Sequence, residues 1–331
     1  MIRKIGKKLG TQIGVDDLLR RAYVETARLG ERACFGLRGG PAPSSALILS
    51  ASGRSGTTWL ADVLCRAARA QTIFEPLHEG QFPEVRRLAG WEGESRVRAA
   101  YLRATDASPG WREYLERVLT GRVRSYWTDY TRTTFFPERF LIKAIRANMM
   151  LGFIRRNFSP KIIHMVRHPC AVVASRLEGG WDAQVSDILS QRALVEDVLS
   201  PLVADIAREH DAVGAHAVWW AVENAVARRD LEGHPHVFVF YETLMGDKTR
   251  GIQSILADLE LEQTTPSPTF VERPSRTTTP MHRGDDAERR LSRWQQQLGR
   301  HDKKRILDWA QRMGLGWYGD GPLPRTAEQT L

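Results

Sequence analysis

The chain has 331 residues, of which 42% are apolar and 26% charged, which suits one large globular domain with room for insertions. It contains no run of eighteen apolar residues, which excludes a conventional transmembrane helix, and its N-terminus lacks the apolar segment of a signal peptide. The net charge of +9 is accompanied by no nucleic-acid-binding motif, so we expect no nucleic-acid partner.

The basic residues are concentrated at the N-terminus, where residues 1–40 carry nine Lys and Arg against four Asp and Glu. We interpret this segment as a basic N-terminal arm or helix that precedes one domain at residues 41–331. A solvated arm is the interpretation that we favour. The alternative is a basic amphipathic helix that makes peripheral contact with an anionic membrane.

The cysteines and histidines carry no pattern of a bonded or metal-bound site. Cys34, Cys65 and Cys170 show no paired spacing, and we expect reduced thiols in a cytoplasmic protein. The nine histidines lack the spacing of metal ligands on one helix face, so we predict no metal site.

Five short apolar runs predict β-strands, at residues 46–50, 71–74, 140–145, 161–166 and 236–241. Helical patterns lie between several of them, at residues 57–69, 170–177, 212–229 and 248–259. This alternation predicts an α/β fold with a P-loop-like parallel sheet of about five strands flanked by helices. Two helical insertions, at about residues 79–138 and 178–211, are expected to form a pocket at the ligand-binding edge.

The loop A-S-G-R-S-G-T-T follows the first strand and leads directly into a helix. Aligned on Gly56, it resembles a Walker A loop in which Ala51 replaces the first glycine and Thr57 replaces the lysine. The glycines and the helix N-terminus still favour a bound phosphate, and Arg54 adds a positive charge. A capped turn without a ligand is the alternative.

A second candidate motif reads K-I-I-H-M-V-R-H-P-C-A-V-V-A-S-R-L at residues 161–177. Arg167 lies at the end of a predicted buried strand, Pro169 begins a helix, and Ser175 lies about two turns along it. Arg167 and Ser175 could therefore converge on one phosphate at the same sheet edge as the loop. Together the two motifs indicate a ligand with two separated phosphates.

These motifs resemble those of sulfotransferases that use 3′-phosphoadenosine-5′-phosphosulfate (PAPS). The 5′-phosphosulfate loop of that family is similar to S-G-R-S-G-T-T-W-L, and its 3′-phosphate motif is similar to V-R-H-P-C-A-V-V-A-S-R-L. Arg54 and the segment F-E-P-L-H at residues 74–78 resemble the carbohydrate-type members more than the cytosolic enzymes, which usually carry Lys at that loop position. His168 and Cys170 depart from the usual Asp and Arg.

The resemblance implies roles for the residues of both motifs. Arg54 would contact the leaving phosphate and the sulfonate, Trp59 would stack on adenine unless it simply packs in the core, and Arg167 with Ser175 would bind the 3′-phosphate. Adenosine contacts would come from residues 273–283, with Arg276 as the candidate. The 5′-phosphate would be bound by Ser55, Gly56, Thr57 and Thr58.

The resemblance also implies in-line attack by an acceptor hydroxyl, which requires a general base. Glu75, at the end of the second strand, is the predicted base, and His78 is the second candidate. Glu75 as a structural carboxylate paired with Arg54 or Lys143 is the alternative. Lys143 and Arg146 either border the acceptor or serve as salt-bridge partners.

The expected activity is therefore sulfuryl transfer from PAPS to a small-molecule or glycan acceptor, and we expect this acceptor to be a carbohydrate or a glycosylated metabolite. Three alternatives stay open at this point. The chain could be a P-loop-like nucleotide kinase or NTPase, although the missing lysine argues against it. It could sulfate a small-molecule alcohol that is not a sugar, or bind a nucleotide without catalysis.

Overall fold

The computed structural model describes residues 15–91, 99–129, 131–132, 137–261, 267–273, 275–276 and 286–325. One sheet of five parallel strands, in the order β2-β3-β1-β4-β5, lies at its centre. This confirms the predicted α/β fold, and every predicted strand is within two residues of the observed one. The strands are β1 (Leu47–Ala51), β2 (Ala70–Phe74), β3 (Arg139–Lys143), β4 (Lys161–Val166) and β5 (Val237–Phe240).

The central strand β1 lies between β3 and β4, with Ile48 paired to Ile142 on one side and to Ile162 on the other. The strands that follow β1 lie first on one side of it (β2 and β3) and then on the other (β4 and β5). The carboxyl end of β1 is therefore the topological switch point, where ligands bind in such folds. All five residues of β1 are buried, as expected for a parallel sheet covered on both faces.

Helices cover both faces of the sheet. They are α1 (Val15–Arg38), α2 (Thr57–Ala67), α3 (Pro83–Leu88), α4 (Pro109–Leu119), α5 (Tyr126–Asp129), α6 (Leu151–Phe158), α7 (Pro169–Glu178), α8 (Val185–Leu189), α9 (Arg192–Leu194), α10 (Val203–Ile206), α11 (Ala212–Leu231), α12 (Tyr241–Gly246), α13 (Lys248–Asp258), α14 (Pro268–Val271), α15 (Ala287–Ser292), α16 (Trp294–Gln297) and α17 (Arg300–Arg312). No helix within the described ranges is long and apolar enough to span a membrane.

The two faces bury different side chains because neighbouring residues of a strand point to opposite sides. Leu47 and Leu49 pack with α2 and α13. Ile48 faces the other side, where α4 and α6 cover one half of the sheet. The other half of that side is covered by α7, α11 and α17. All three cysteines lie in the described ranges, and none forms a disulfide.

Helix α1 packs against the body of the protein. Val24 and Ala27 are fully buried, and Glu31 forms a buried ion pair with Arg132 at 2.6 Å. Arg28 pairs with Asp129 at 2.7 Å. The interpretation as a solvated arm is therefore wrong for residues 15–38, because ion pairs on one helix face fix it in place. Residues 1–14 lie outside the described part.

Both insertions contain short helices. Helices α3, α4 and α5 lie in the first, and α8, α9 and α10 lie in the second. Residues 92–98, 130 and 133–136 of the first insertion lie outside the described ranges. That the insertions form an acceptor pocket stays a prediction.

Candidate active site

The loop between β1 and α2 is shaped by its two glycines. Gly56 has a φ of 94°, and a Cβ there would lie 2.6 Å from the ring of Tyr241. A Cβ on Gly53 would lie 2.8 Å from the ring of Trp181, which belongs to the second insertion. Both positions therefore require glycine, one for its conformation and for space, the other for space alone.

Arg54 joins the loop to the second motif. It has a φ of 80°, which is unusual for a residue with a side chain and indicates local strain. Its Nε donates a hydrogen bond to Ser175 Oγ at 3.0 Å, and its carbonyl accepts one from Arg167 Nη1 at 2.8 Å. The structure thus brings Arg54, Arg167 and Ser175 together at one edge of the sheet, where the sequence predicted both motifs to lie.

This junction concentrates positive charge. Burial lowers the pKa of Arg54 below its usual value, and the nearby charges of Arg167, Arg176 and Arg293 lower it further, with Glu178 acting in the opposite direction. Cations crowded in this way gain stability from a bound anion, because an anion offsets both their desolvation and their mutual repulsion. The electrostatics of the loop therefore favour an anionic ligand.

Two buried polar atoms at the junction have no hydrogen-bond partner, Ser55 Oγ and Arg167 Nε. A bound anion or a water molecule is one explanation for buried polar groups of this kind. Thr57 and Thr58 begin α2 and are also buried. A phosphate would supply acceptors for these donors, so the residues present fit the phosphate groups of PAPS. Within the described ranges, no three His, Cys, Asp or Glu side chains cluster as metal ligands would.

Glu75 lies directly after β2, with a φ of 44° and 2% of its surface exposed. Its Oε1 accepts a hydrogen bond from Lys143 Nζ at 2.6 Å, and its Oε2 lies 3.5 Å from Arg146 Nη1. The backbone N–H of Ile145 lies 3.3 Å from both oxygens. The alternative to a catalytic base was a structural carboxylate paired with Arg54 or Lys143. The structure contains the pair with Lys143.

Ile145 lies between Glu75 and the loop that joins β1 to α2. The Ile145 side chain lies 3.0 Å from the position that a Cβ on Gly53 would occupy. The sheet register explains the arrangement, since Phe74 of β2 pairs with Lys143 of β3 and both strands end at one edge. Carboxylate and loop therefore share this edge of the sheet.

His78 lies in the same turn as Glu75 but is held differently. Its Nδ1 accepts a hydrogen bond from the backbone N–H of Gly80 at 3.1 Å, and its ring meets Trp127 edge-on. Burial, followed by the charge of Arg146, lowers the pKa of His78. The imidazole is therefore favoured in its neutral form with the proton on Nε2, which makes it a hydrogen-bond donor there.

A model of the sulfotransferase family matches residues 47–266, about two thirds of the chain and a range that includes both phosphate motifs and Glu75. The chain belongs to the sulfotransferase family. It is therefore an enzyme, a PAPS-dependent sulfotransferase, which confirms the class predicted from the two motifs.

Several solved structures are also similar to this chain, at sequence identities of 14–16%. The sulfotransferase domain from the curacin biosynthetic pathway is 15% identical, with 82% of this chain and 97% of that chain covered and a TM-score of 0.43. The domain from the Synechococcus PCC 7002 olefin synthase is 16% identical, with coverage of 82% and 94% and a TM-score of 0.42.

A retinol dehydratase in complex with retinol and PAP is 14% identical, with 82% of each chain covered and a TM-score of 0.37. Identities this low say nothing about the acceptor of this sulfotransferase. No curated protein has a significant match to the sequence.

A buried polar network holds Ser52 and Gly53, in the loop between β1 and α2 of the sulfotransferase. Glu223 of α11 accepts a hydrogen bond from Ser52 Oγ at 2.6 Å and pairs with Arg176 at 3.1 Å. Arg176 Nε also donates to the Gly53 carbonyl at 3.3 Å, and Asn224 donates to Ser52 Oγ at 3.1 Å. The sequence analysis missed this network, although Glu223 and Asn224 interrupt an otherwise apolar helix.

Replacing Glu223 with Gln should destabilise the sulfotransferase by about 3–5 kcal/mol, because buried Arg176 would lose its charge partner. Urea unfolding would measure the change. Glu196→Gln is the matched control, since Glu196 pairs with Arg103 and Arg192 at the exposed surface and should change stability little. An equal effect of both substitutions would contradict a stabilising role for the network.

The second motif is tied to the C-terminal part of the enzyme. The backbone N–H of His168 donates to Glu242 at 2.9 Å, and Glu242 also accepts from Tyr318 at 2.7 Å. The His168 ring stacks on Trp294 with 4.2 Å between centroids, and its Nε2 lies 3.0 Å from the Gly319 carbonyl. Burial lowers the pKa of His168 to about 4, so its role here is that of a neutral structural residue.

Trp59 and Arg276, which were predicted to contact adenosine, both bond to other groups of the protein. Trp59 is buried, and its indole N–H donates to the Val271 carbonyl at 3.0 Å, which shows the packing role. Arg276 pairs with Asp62 on α2, with Nε 3.0 Å from Oδ2. Residues 277–285 lie outside the described ranges. Adenine stacking by Trp59 and nucleotide binding by Arg276 stay predictions.

Proposed function

We propose that this sulfotransferase transfers the sulfuryl group of PAPS to a hydroxyl group of a carbohydrate or a glycosylated metabolite. The observation that carries the nucleotide part is the convergence of Arg54, Arg167 and Ser175 beside the unpaired Ser55 hydroxyl. A nucleotide with a 5′-phosphosulfate and a 3′-phosphate would place one anion on the loop and the other on Arg167 and Ser175. PAPS supplies the activated sulfuryl group when it is bound.

Each part of this site would bind a different group of the donor. Ser55, Gly56, Thr57 and Thr58 would hold the 5′-phosphate through backbone and hydroxyl donors at the start of α2. A guanidinium has five N–H donors, so the bond from Arg54 to Ser175 uses only one of them. We assign Arg54 to the leaving phosphate and the sulfonate, where preorganised positive charge lowers the barrier most.

Glu75 is the proposed general base. Its side chain is buried and pairs with two cations, Lys143 and Arg146. Its Oε2 has only contacts of 3.3 Å or longer, which leaves lone-pair capacity for the proton of an acceptor hydroxyl. The neutral His78, with its Nδ1 occupied, is better suited to orient the acceptor by donating from Nε2.

The acceptor class is supported by Trp181 and by the sequence around Glu75. Trp181 places an aromatic ring beside Gly53, on the side of the loop where Ile145 leads to Glu75. Aromatic rings pack well against the apolar face of a sugar while its hydroxyl groups stay hydrogen-bonded elsewhere. Arg54 and the F-E-P segment at residues 74–76 resemble carbohydrate-type members of the family, which points to the same class.

Calorimetric titration with 3′,5′-ADP, 5′-AMP and Mg-ATP tests the nucleotide assignment. We expect 3′,5′-ADP to bind and 5′-AMP to bind much more weakly, because the Arg167 and Ser175 contacts need the 3′-phosphate. Preferred binding of Mg-ATP would favour the kinase alternative and overturn the proposal. An acceptor screen with labelled PAPS, using sugars beside alcohols that are not sugars, tests the acceptor class.

Replacing Arg167 with Ala should weaken 3′,5′-ADP binding by about 10- to 100-fold, because one charge-assisted contact is lost. Affinity for 5′-AMP should change little. Arg208→Ala is the control, since Arg208 is an exposed arginine that pairs with Asp205. Unchanged affinity for 3′,5′-ADP in Arg167→Ala would remove Arg167 from the 3′-phosphate site.

A further inference from the structure

Arg54 is held in an unfavourable conformation by three contacts. Its φ of 80° is one that a residue with a side chain keeps only where the surrounding structure imposes it. Arg167 Nη1 donates to the Arg54 carbonyl at 2.8 Å, and Arg54 Nε donates to Ser175 Oγ at 3.0 Å. The third contact lies one residue earlier, where Arg176 Nε donates to the Gly53 carbonyl at 3.3 Å. The direction of the Arg54 side chain therefore depends on residues of the second motif.

Two of these contacts come from consecutive residues of α7. Ser175 bonds to the Arg54 side chain, and Arg176 bonds to the peptide that precedes it. The guanidinium of Arg176 is almost completely buried, so it requires a partner for its charge. Within the described part of the chain, the carboxylate that it pairs with is Glu223 of α11, at 3.1 Å. Glu223 therefore determines where Arg176 lies.

The same carboxylate also holds the start of the loop. Asn224 Nδ2 donates to Ser52 Oγ at 3.1 Å, and Ser52 Oγ in turn donates to Glu223 Oε2 at 2.6 Å. Arg176 Nη2 donates to this oxygen as well, at 3.1 Å. One oxygen atom of Glu223 thus fixes both Ser52, two residues before Arg54, and the guanidinium that bonds to the residue between them.

Stability alone is a weak reason for a buried ion pair at this position. Taking two charges out of water costs about as much as their attraction gains, and apolar residues of similar size often serve equally well. What the pair adds is direction, because an apolar side chain in place of Arg176 would not bond to the Gly53 carbonyl. Glu223 also offsets the charge of Arg176, which repels that of Arg54.

We infer that Glu223 is a positioning residue for sulfuryl transfer, acting through Arg176 and Ser52 to direct Arg54 toward the donor nucleotide. The inference deepens the proposed function, since it rests on the assignment of Arg54 to the leaving phosphate and the sulfonate. Glu223 itself would not contact the nucleotide. Its effect on nucleotide affinity is therefore expected to disappear when Arg54 is absent, which a general effect on stability would not do.

The double variant Glu223→Met and Arg176→Met tests the inference. It removes the buried pair without changing the net charge, and replacements of this kind usually preserve the fold. We expect calorimetry to show affinity for 3′,5′-ADP about tenfold lower, the effect of misplacing one charge-assisted contact. Ser52→Ala, which keeps both charges, should show a smaller loss of the same kind and serves as the second variant if the methionine pair does not fold.

The decisive measurement repeats the methionine pair in an Arg54→Ala background. If Glu223 acts through Arg54, the triple variant should lose no more affinity than Arg54→Ala alone, whereas independent effects would multiply. The matched control is Glu31→Met and Arg132→Met, at a second buried pair that joins α1 to the segment after α5. This control should bind 3′,5′-ADP as the unmodified enzyme does.

The outcomes separate this inference from the proposed function. If the unmodified enzyme does not bind 3′,5′-ADP, the nucleotide assignment fails and the positioning role fails with it. If the unmodified enzyme binds, three results overturn the positioning role alone. They are unchanged affinity in the methionine pair at Glu223 and Arg176, multiplied losses in the triple variant, and an equal loss in the control pair at Glu31 and Arg132.

Discussion

Replacing Glu75 with Gln is expected to lower kcat by about 10²- to 10⁴-fold, the usual contribution of a general base. The amide keeps the shape of the side chain but cannot accept the proton of the acceptor hydroxyl. Affinity for 3′,5′-ADP should be unchanged, because Glu75 contacts Lys143, Arg146 and Ile145 rather than the phosphate motifs. Turnover of labelled PAPS and calorimetry would measure the two effects separately.

The control for this experiment is Glu79→Gln. Glu79 pairs with Arg146 at 2.9 Å, so the substitution disturbs the same cation without touching the proposed base. Because Glu75→Gln leaves buried Lys143 without a charge partner, its melting temperature must be compared with that of the double variant Glu75→Gln and Lys143→Met. A stable Glu75→Gln variant with near-normal turnover would reject Glu75 as the base.

Replacing Arg54 with Ala is expected to lower kcat by about 10²- to 10³-fold, the usual loss when a preorganised donor to a developing charge is removed. Arg54→Lys should recover only part of that loss, because a positive charge stays in the loop but the forked geometry of the guanidinium is lost. Single-turnover assays with saturating PAPS would separate chemistry from nucleotide binding.

Arg69→Ala is a close control for Arg54→Ala. Arg69 is also an arginine with positive φ, but its side chain is exposed and pairs with Glu138. Arg69→Ala therefore measures the effect of replacing an arginine of positive φ at a position away from the site. If Arg54→Ala keeps normal kcat and only loses its preference for 3′,5′-ADP over 5′-AMP, then Arg54 binds the 3′-phosphate alone.

The sequence was enough to predict the sheet and the meeting of the two motifs. Arg54 and Arg167 each follow a buried strand, and the carboxyl ends of parallel strands share one edge. Their contact over 113 residues of chain is therefore a consequence of topology. The same reasoning placed Glu75 at that edge, beside Lys143.

Other features depend on packing that no local pattern records. The hydrogen bond between Ser52 and Glu223 depends on how α11 packs on the sheet. The packing of α1 depends on its ion pair with Arg132, which belongs to neither a helix nor a strand. The direction of the Arg54 side chain follows from a φ of 80° that is set by the surrounding loop. Contacts between distant segments of this kind form only in the folded chain, and no local sequence pattern predicts them.

The proposed phosphate site is assembled from widely separated parts of the chain. Arg54 bonds to Ser175 across 121 residues, Ser52 to Glu223 across 171, and His168 to Gly319 across 151. Contacts between residues this far apart in the sequence are typical of proteins that fold slowly. A proteolytic fragment that ends before residue 223 could hold at most one of these pairs, so we expect binding of 3′,5′-ADP to require a chain that is folded over most of its length. The nucleotide, by the same linkage, protects the finished fold against heat and proteases.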